Sequence, residues 1–105
     1  RPTWVFDLAP ALVALMASGA SGTAHVANDG EASWYEVADA LFEAARRRGE
    51  SLDPLELSAT TTEAYGAPAP RPAYSVLDTA QVQRDHGITL PHWRTGLDRA
   101  IEAAA

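Results

Sequence analysis

Apolar residues near the start of the chain recur with helical spacing. Val5, Leu8, Ala9, Leu12, Leu15 and Met16 follow the i, i+3, i+4, i+7 rhythm of one helix face. The pattern predicts a helix capped by Thr3 and running to about Ser18, stopped where Gly19-Ala20-Ser21-Gly22 offers a left-handed C-cap. Thr23–Ala27 is short and bounded by turn residues, which reads as a strand, and Asn28-Asp29-Gly30 reads as the turn after it. Ser33-Trp34-Tyr35-Glu36 is a capping box, Ser-x-x-Glu, set directly before a second periodic run. In that run Trp34, Val37, Ala38, Leu41, Phe42 and Ala45 make the predicted buried stripe. Arg46, Arg47 and Arg48 occupy the last turn, where positive charge suits the negative end of the helix dipole, and Gly49 ends it.

Beyond Gly49 the pattern changes. Leu55–Ala59 alternates apolar and polar residues and predicts a second short strand. Thr60–Val76 is predicted as a loop, with Pro68, Pro70 and Pro72 in alternation and Tyr65, Arg71 and Tyr74 among them. Alternate prolines hold a backbone extended and solvated, and a connection this long is usually functional or disordered. Asp78-x-x-Gln81 predicts the cap of a short helix to about His86, ended by Gly87. Leu90-Pro91 opens a last helix whose stripe is Trp93, Leu97, Ala100 and Ile101. The order helix, strand, helix, strand, loop, helix, helix gives an α/β class without an internal repeat. Two short strands alone make a poor sheet. The expectation is therefore that they extend a sheet, or pack helices onto a neighbour, in a larger α/β parent.

Composition narrows the function classes. With 105 residues the chain is expected to be a single domain or fragment, residues 1–105. A chain of this size buries about two-thirds of its unfolded surface. Hydrophobic content of 47% and charged content of 21% are those of a globular domain rather than a disordered tail. The start, Arg1-Pro2-Thr3-Trp4, has neither an initiator Met nor a signal pattern, which reads as a segment cut from something longer. No apolar run approaches the roughly 18–20 residues of a membrane helix. The net charge of −6 argues against nucleic-acid and anionic-membrane partners, both of which need a positive field.

All eight basic residues are arginine, and lysine and cysteine are absent. That removes a Schiff-base lysine, a phosphate-loop lysine and a Tyr-x-x-x-Lys proton relay. It also removes a thiol nucleophile, a disulfide frame and a thiolate metal site, and is compatible with a reducing cytoplasm. Gly-x-Gly-x-x-Gly, Gly-x-Ser-x-Gly and His-Glu-x-x-His do not occur, and His25, His86 and His92 lack metal-ligand spacing. Most carboxylates fall on predicted polar helix faces, where they read as solvated surface charge.

Four segments carry a resemblance. They are Gly22-Thr23-Ala24-His25-Val26-Ala27-Asn28-Asp29-Gly30, Ser33-Trp34-Tyr35-Glu36-Val37-Ala38, Pro70-Arg71-Pro72-Ala73-Tyr74-Ser75-Val76-Leu77-Asp78-Thr79 and Leu90-Pro91-His92-Trp93-Arg94-Thr95-Gly96-Leu97. In that order and at those intervals the chain resembles the C-terminal part of dTDP-4-dehydrorhamnose reductase, in the extended short-chain dehydrogenase/reductase group. Arg1-Pro2-Thr3 looks like the end of that family's Gly-x-Pro-Thr segment. The resemblance covers essentially the whole chain. It implies a small C-terminal substrate-binding domain, helices with two or three short strands, of an NAD(P)-binding Rossmann-fold reductase. The Rossmann core itself is absent from this chain. The parent would reduce the 4-keto group of a dTDP-deoxysugar, dTDP-4-dehydro-6-deoxy-L-mannose, in dTDP-L-rhamnose biosynthesis. NADPH or NADH would sit in an N-terminal Rossmann domain, with room left for Mg in the parent and for a homodimer. Without lysine or a Gly-rich fingerprint, this chain alone is not expected to be catalytic.

The resemblance also implies site residues. Arg71 would face the diphosphate of the nucleotide sugar, where a guanidinium binds bidentately. The alternative for Arg71 is a surface pairing with a carboxylate or carbonyl. Pro72 would fix the loop, and Ser75 would bond either ligand or local turn backbone. Tyr65 either stacks on base or sugar or packs under the loop. The family commonly has Asn where this chain has Tyr74. Trp34 matches the family's helix-start Trp, with core packing the reading favoured by its spacing. His25 reads as a satisfied structural histidine, and Arg46–Arg48 as a solvated helix end. Other readings of the whole chain are a related nucleotide-sugar epimerase or reductase, a non-catalytic regulatory reductase-like subunit, and a free-standing interaction module.

Overall fold

The computed structural model describes residues 1–104. Five helices are present: α1 (Val5–Ala17), α2 (Trp34–Arg47), α3 (Thr62–Tyr65), α4 (Ala80–His86) and α5 (Trp93–Ala103). The chain divides into two compact units, Arg1–Ala32 with Val76–Ala105, and Ser33–Ser75. Among the described residues no helix is long and apolar enough to cross a membrane.

In the first unit, α1 begins without a side-chain cap. The Thr3 hydroxyl, expected to cap it, instead donates to the Arg1 carbonyl and accepts from the Asn28 N–H, at 3.2 and 3.1 Å. The predicted stripe of α1 is also divided. Leu8 and Leu15 are half-buried, whereas Val5, Ala9, Leu12 and Met16 are exposed, and the buried residue of the helix is Ala11, outside that stripe. The short helix after Asp78 forms as α4 and ends at Gly87; an Asp78 carboxylate oxygen accepts from the Ala80 N–H at 2.9 Å. α5 starts two residues after Pro91, with His92 Nδ1 accepting from the Arg94 N–H at 3.3 Å. Ala11, Ala27, Val82, Leu90 and Trp93 are the buried apolar residues of this unit.

The two expected strands do not form within this chain: among the described residues it is a small helical domain, with one isolated parallel bridge, Asp29–His92. A strand exists only where a neighbour supplies a ladder of N–H and C=O groups. Near Thr23–Ala27 that pairing occurs only at Asp29. Its N–H donates to the Pro91 carbonyl and its carbonyl accepts from the Trp93 N–H, both at 2.9 Å. Leu55–Ala59 alternates as a strand should, yet has no strand partner among the described residues.

In the second unit, the capping box of α2 forms as its sequence demands. Ser33 Oγ accepts from the Glu36 N–H at 3.2 Å, and a Glu36 carboxylate oxygen accepts from the Ser33 N–H at 2.7 Å. The buried positions are Ala40 and Ala44, with Val37, Ala38, Phe42 and Ala45 half-buried. Leu41 and Trp34, expected in the stripe, are exposed. Small residues mark the closest approach, so the buried face is centred away from the largest side chains. The loop predicted from Thr60 contains the short helix α3, because Thr61 Oγ1 caps it by accepting from the Ala64 N–H at 3.1 Å.

Candidate functional site

Arg71, Pro72, Ser75 and Tyr65 all lie in the second unit and all are exposed. Tyr65 closes α3 and is 75% exposed, so it is not packed beneath the loop. Ser75 makes no side-chain hydrogen bond among the described residues, and its local turn bond is not observed. The same unit exposes three further aromatic rings, Trp34, Tyr35 and Tyr74. Trp34 is 90% exposed, against the expectation of core packing. As the first residue after the Ser33 cap it projects before α2 reaches its buried turns at Ala40 and Ala44.

The arginines separate Arg71 from the rest. Arg1 pairs with Asp29 at 3.2 Å, Arg84 with Asp85 at 3.3 Å and Arg99 with Asp7 at 3.3 Å. Arg46 lies 6.0 Å from the Phe42 ring centre and Arg94 lies 4.9 Å from that of Trp93. Arg47 and Arg48 also have partners. Among the described residues Arg71 alone has none, so neither a carboxylate nor a carbonyl satisfies it. An exposed guanidinium flanked by Pro70 and Pro72 keeps all five N–H donors available in a fork that matches diphosphate oxygens.

A second constellation, in the first unit, was not legible as more than a turn. Asn28 is fully buried. Its Oδ1 accepts from the Trp4 N–H at 2.8 Å, and its Nδ2 donates to Asp7 Oδ2 and to the Pro91 carbonyl, both at 2.9 Å. The Asp7 side chain is buried too and accepts from Arg99 at 3.3 Å. A Cβ at Gly96 would sit 3.2 Å from Asp7 Oδ2 and 3.3 Å from Asn28 Oδ1, so α5 approaches the network through its one residue without a side chain. This arrangement ties α1 and α5 to the Asn28 segment. His25, three residues earlier, is exposed rather than held as a structural histidine.

Lysine and the Gly-x-Gly-x-x-Gly turn are both missing from this sequence. Among the described residues no group of His, Asp and Glu side chains gathers that could hold a metal ion.

Residues 1–105 match the family model described as the RmlD substrate binding domain, and the chain belongs to that family. It is 43% identical over 101 residues to the spore coat polysaccharide biosynthesis protein SpsK of Bacillus subtilis, covering 96% of this chain and 33% of that protein. To the dTDP-4-dehydrorhamnose reductase of Salmonella typhimurium it is 37% identical over 89 residues, covering 85% of this chain and 30% of that protein. To a probable dTDP-4,6-dihydroxy-2-methyloxan-3-one 4-ketoreductase of Streptomyces antibioticus it is 37% identical over 102 residues, covering 96% and 33%. The chain thus spans about a third of the length of these relatives.

Proposed function

We propose that this chain is the nucleotide-sugar-binding part of an NAD(P)H-dependent dTDP-4-dehydrorhamnose reductase in dTDP-L-rhamnose biosynthesis. Membership of the RmlD substrate binding domain family over the whole chain carries the reading. Relatives named as dTDP-sugar reductases support the substrate class. The chain would hold a dTDP-sugar while a partner domain of the same protein supplies the nicotinamide and the proton donor. Arg71 would clamp the diphosphate, with Pro72 fixing the loop. Tyr65 would offer a ring for base or sugar, and Ser75 a hydroxyl. Binding energy collected at the diphosphate, remote from the keto carbon, would orient that carbon for reduction.

The test is kinetic and uses the intact protein that carries this chain. The expected result is turnover of a dTDP-4-keto-deoxysugar, with UDP- and GDP-sugars as comparison substrates. Arg71→Ala should lower kcat/KM more than tenfold, which corresponds to a charged hydrogen-bond contact of about 1.5–3 kcal/mol. A change below about twofold removes Arg71 from the diphosphate. Activity confined to UDP- or GDP-sugars, or none at all, overturns the larger reading.

A further inference from the structure

The stretch from Gly66 to Thr79 carries Arg71, Pro72 and Ser75 and, among the described residues, contains neither helix nor strand. Pro68, Pro70 and Pro72 supply no N–H donor to hold it. The path of such a segment depends on what its ends are tied to. One end is α3, a helix of four residues, none of them buried. The other end is Thr79, which is 5% exposed. Thr79 is the N-cap residue of α4, a position where a Thr hydroxyl usually accepts from the N–H groups of its own helix. Here it makes no such bond, and Asp78 accepts from the Ala80 N–H instead. The Thr79 hydroxyl oxygen accepts from Arg1 Nη1 at 3.2 Å and from Gln83 Nε2 at 3.3 Å.

The Arg1 side chain is 19% exposed, and its Nε is buried without a hydrogen-bond partner. An unpaired buried donor costs free energy and calls for an explanation. The same Nη1 also donates to Asp29 Oδ1 at 3.2 Å. Asp29 is fixed in turn by its backbone, whose N–H donates to the Pro91 carbonyl and whose carbonyl accepts from the Trp93 N–H, both at 2.9 Å. An apolar side chain in place of Arg1 would leave no orphaned Nε, but it would not join the Asp29 segment to Thr79. We infer that Arg1 and Thr79 are positioning residues: through the Thr79 hydroxyl, the Asp29-braced guanidinium of Arg1 holds the end of the loop that presents Arg71 to a nucleotide-sugar diphosphate. This role rests on the proposed reading of that loop as the diphosphate contact. Both residues act through the loop backbone, where a misplacement of about 1 Å is enough to weaken a distant contact.

The test uses the intact protein that carries this chain. Thr79→Val keeps the branched shape and removes the hydroxyl, Arg1→Met removes the guanidinium, and Thr79→Ser keeps the acceptor. Proteases nick mobile loops, and Tyr74, within this loop, is 69% exposed and suits chymotrypsin. Cleavage after Tyr74, followed by peptide mass spectrometry under native conditions without substrate, should be about fivefold faster or more in Thr79→Val and Arg1→Met, and as in the parent in Thr79→Ser. Cleavage after Trp34, on α2, should not change. In the same two variants KM for a dTDP-4-keto-deoxysugar should rise about fivefold or more with kcat within about twofold, and Thr79→Ser should keep the parent KM. Equal cleavage rates after Tyr74 overturn the inference. Faster cleavage after Tyr74 and Trp34 alike also overturns it, because a general loss of stability then accounts for both. Faster cleavage after Tyr74 with KM unchanged overturns it too, since the loop is then held without serving substrate. A protein inactive on every dTDP-sugar refutes the proposed reading instead, and the cleavage rates still decide whether Arg1 and Thr79 hold the loop.

Discussion

The fully buried Asn28 gives the sharpest prediction about stability. Its side chain makes three hydrogen bonds, to the Trp4 N–H, Asp7 Oδ2 and the Pro91 carbonyl. In Asn28→Ala the Pro91 carbonyl keeps the Asp29 N–H at 2.9 Å, but the Trp4 N–H and one Asp7 oxygen lose their Asn28 partner. Two stranded groups at about 1–3 kcal/mol each give a loss of about 2–6 kcal/mol. Total stability for a domain of this size is about 5–15 kcal/mol, so the variant should be partly unfolded under mild denaturant. Asn28→Asp is the decisive comparison because it preserves shape. Its Oδ1 can still accept from Trp4, but the two Nδ2 donors become an oxygen facing Asp7 Oδ2 and the Pro91 carbonyl. It should therefore be at least as destabilising as Asn28→Ala. Urea unfolding followed by Trp fluorescence suits the test, since Trp93 is buried in the same unit. If Asn28→Asp unfolds within about 0.5 kcal/mol of the parent, Asn28 only fills space and the network reasoning is wrong.

Three further outcomes follow from other geometry. Gly30 has φ +77° and an added Cβ would overlap His92 Nε2, whereas Gly19 has φ +67° with open space around it. In urea denaturation Gly30→Ala should cost clearly more than Gly19→Ala, whose penalty is the left-handed backbone alone, about 1–2 kcal/mol. Ser33→Ala breaks the capping box of α2 and should cost about 1 kcal/mol, seen as a lower urea midpoint for the loss of helical circular dichroism. Arg71→Ala, in contrast, should leave the unfolding midpoint within about 0.5 kcal/mol, because Arg71 is exposed and has no partner among the described residues. A large stability loss there would make it a structural arginine.

What could be read from the sequence was local. The Ser33–Glu36 box and the stop at Gly87 are written within four residues, and both formed. The strands depended on partners far along the chain, and periodicity carries no information about those. Asn28 illustrates the same limit from the polar side. Asn-Asp-Gly is a turn signal by composition, yet what decides the role of Asn28 is Asp7, 21 residues earlier, and Pro91, 63 residues later. The candidate site divides in the same way. Arg71 was reached through the resemblance of its loop, but the observation that sets it apart is that seven other arginines find partners, which only the fold can disclose.

The two misread helix stripes share a cause. An apolar residue at helical spacing reports that something will cover that face; it does not report what. On α1 the residues chosen as one stripe span its edge: Leu8 and Leu15 are half-buried, whereas Val5, Leu12 and Met16, about 70° further round the helix on average, are exposed. On α2 Trp34 obeys the spacing and is left outside by a face centred on Ala40 and Ala44. A helix that serves one core has one apolar stripe and a charged opposite face. α1 has apolar residues on both and a single carboxylate already bonded inside. Helical spacing on α1 and α2 therefore located apolar positions without telling which of them this chain buries.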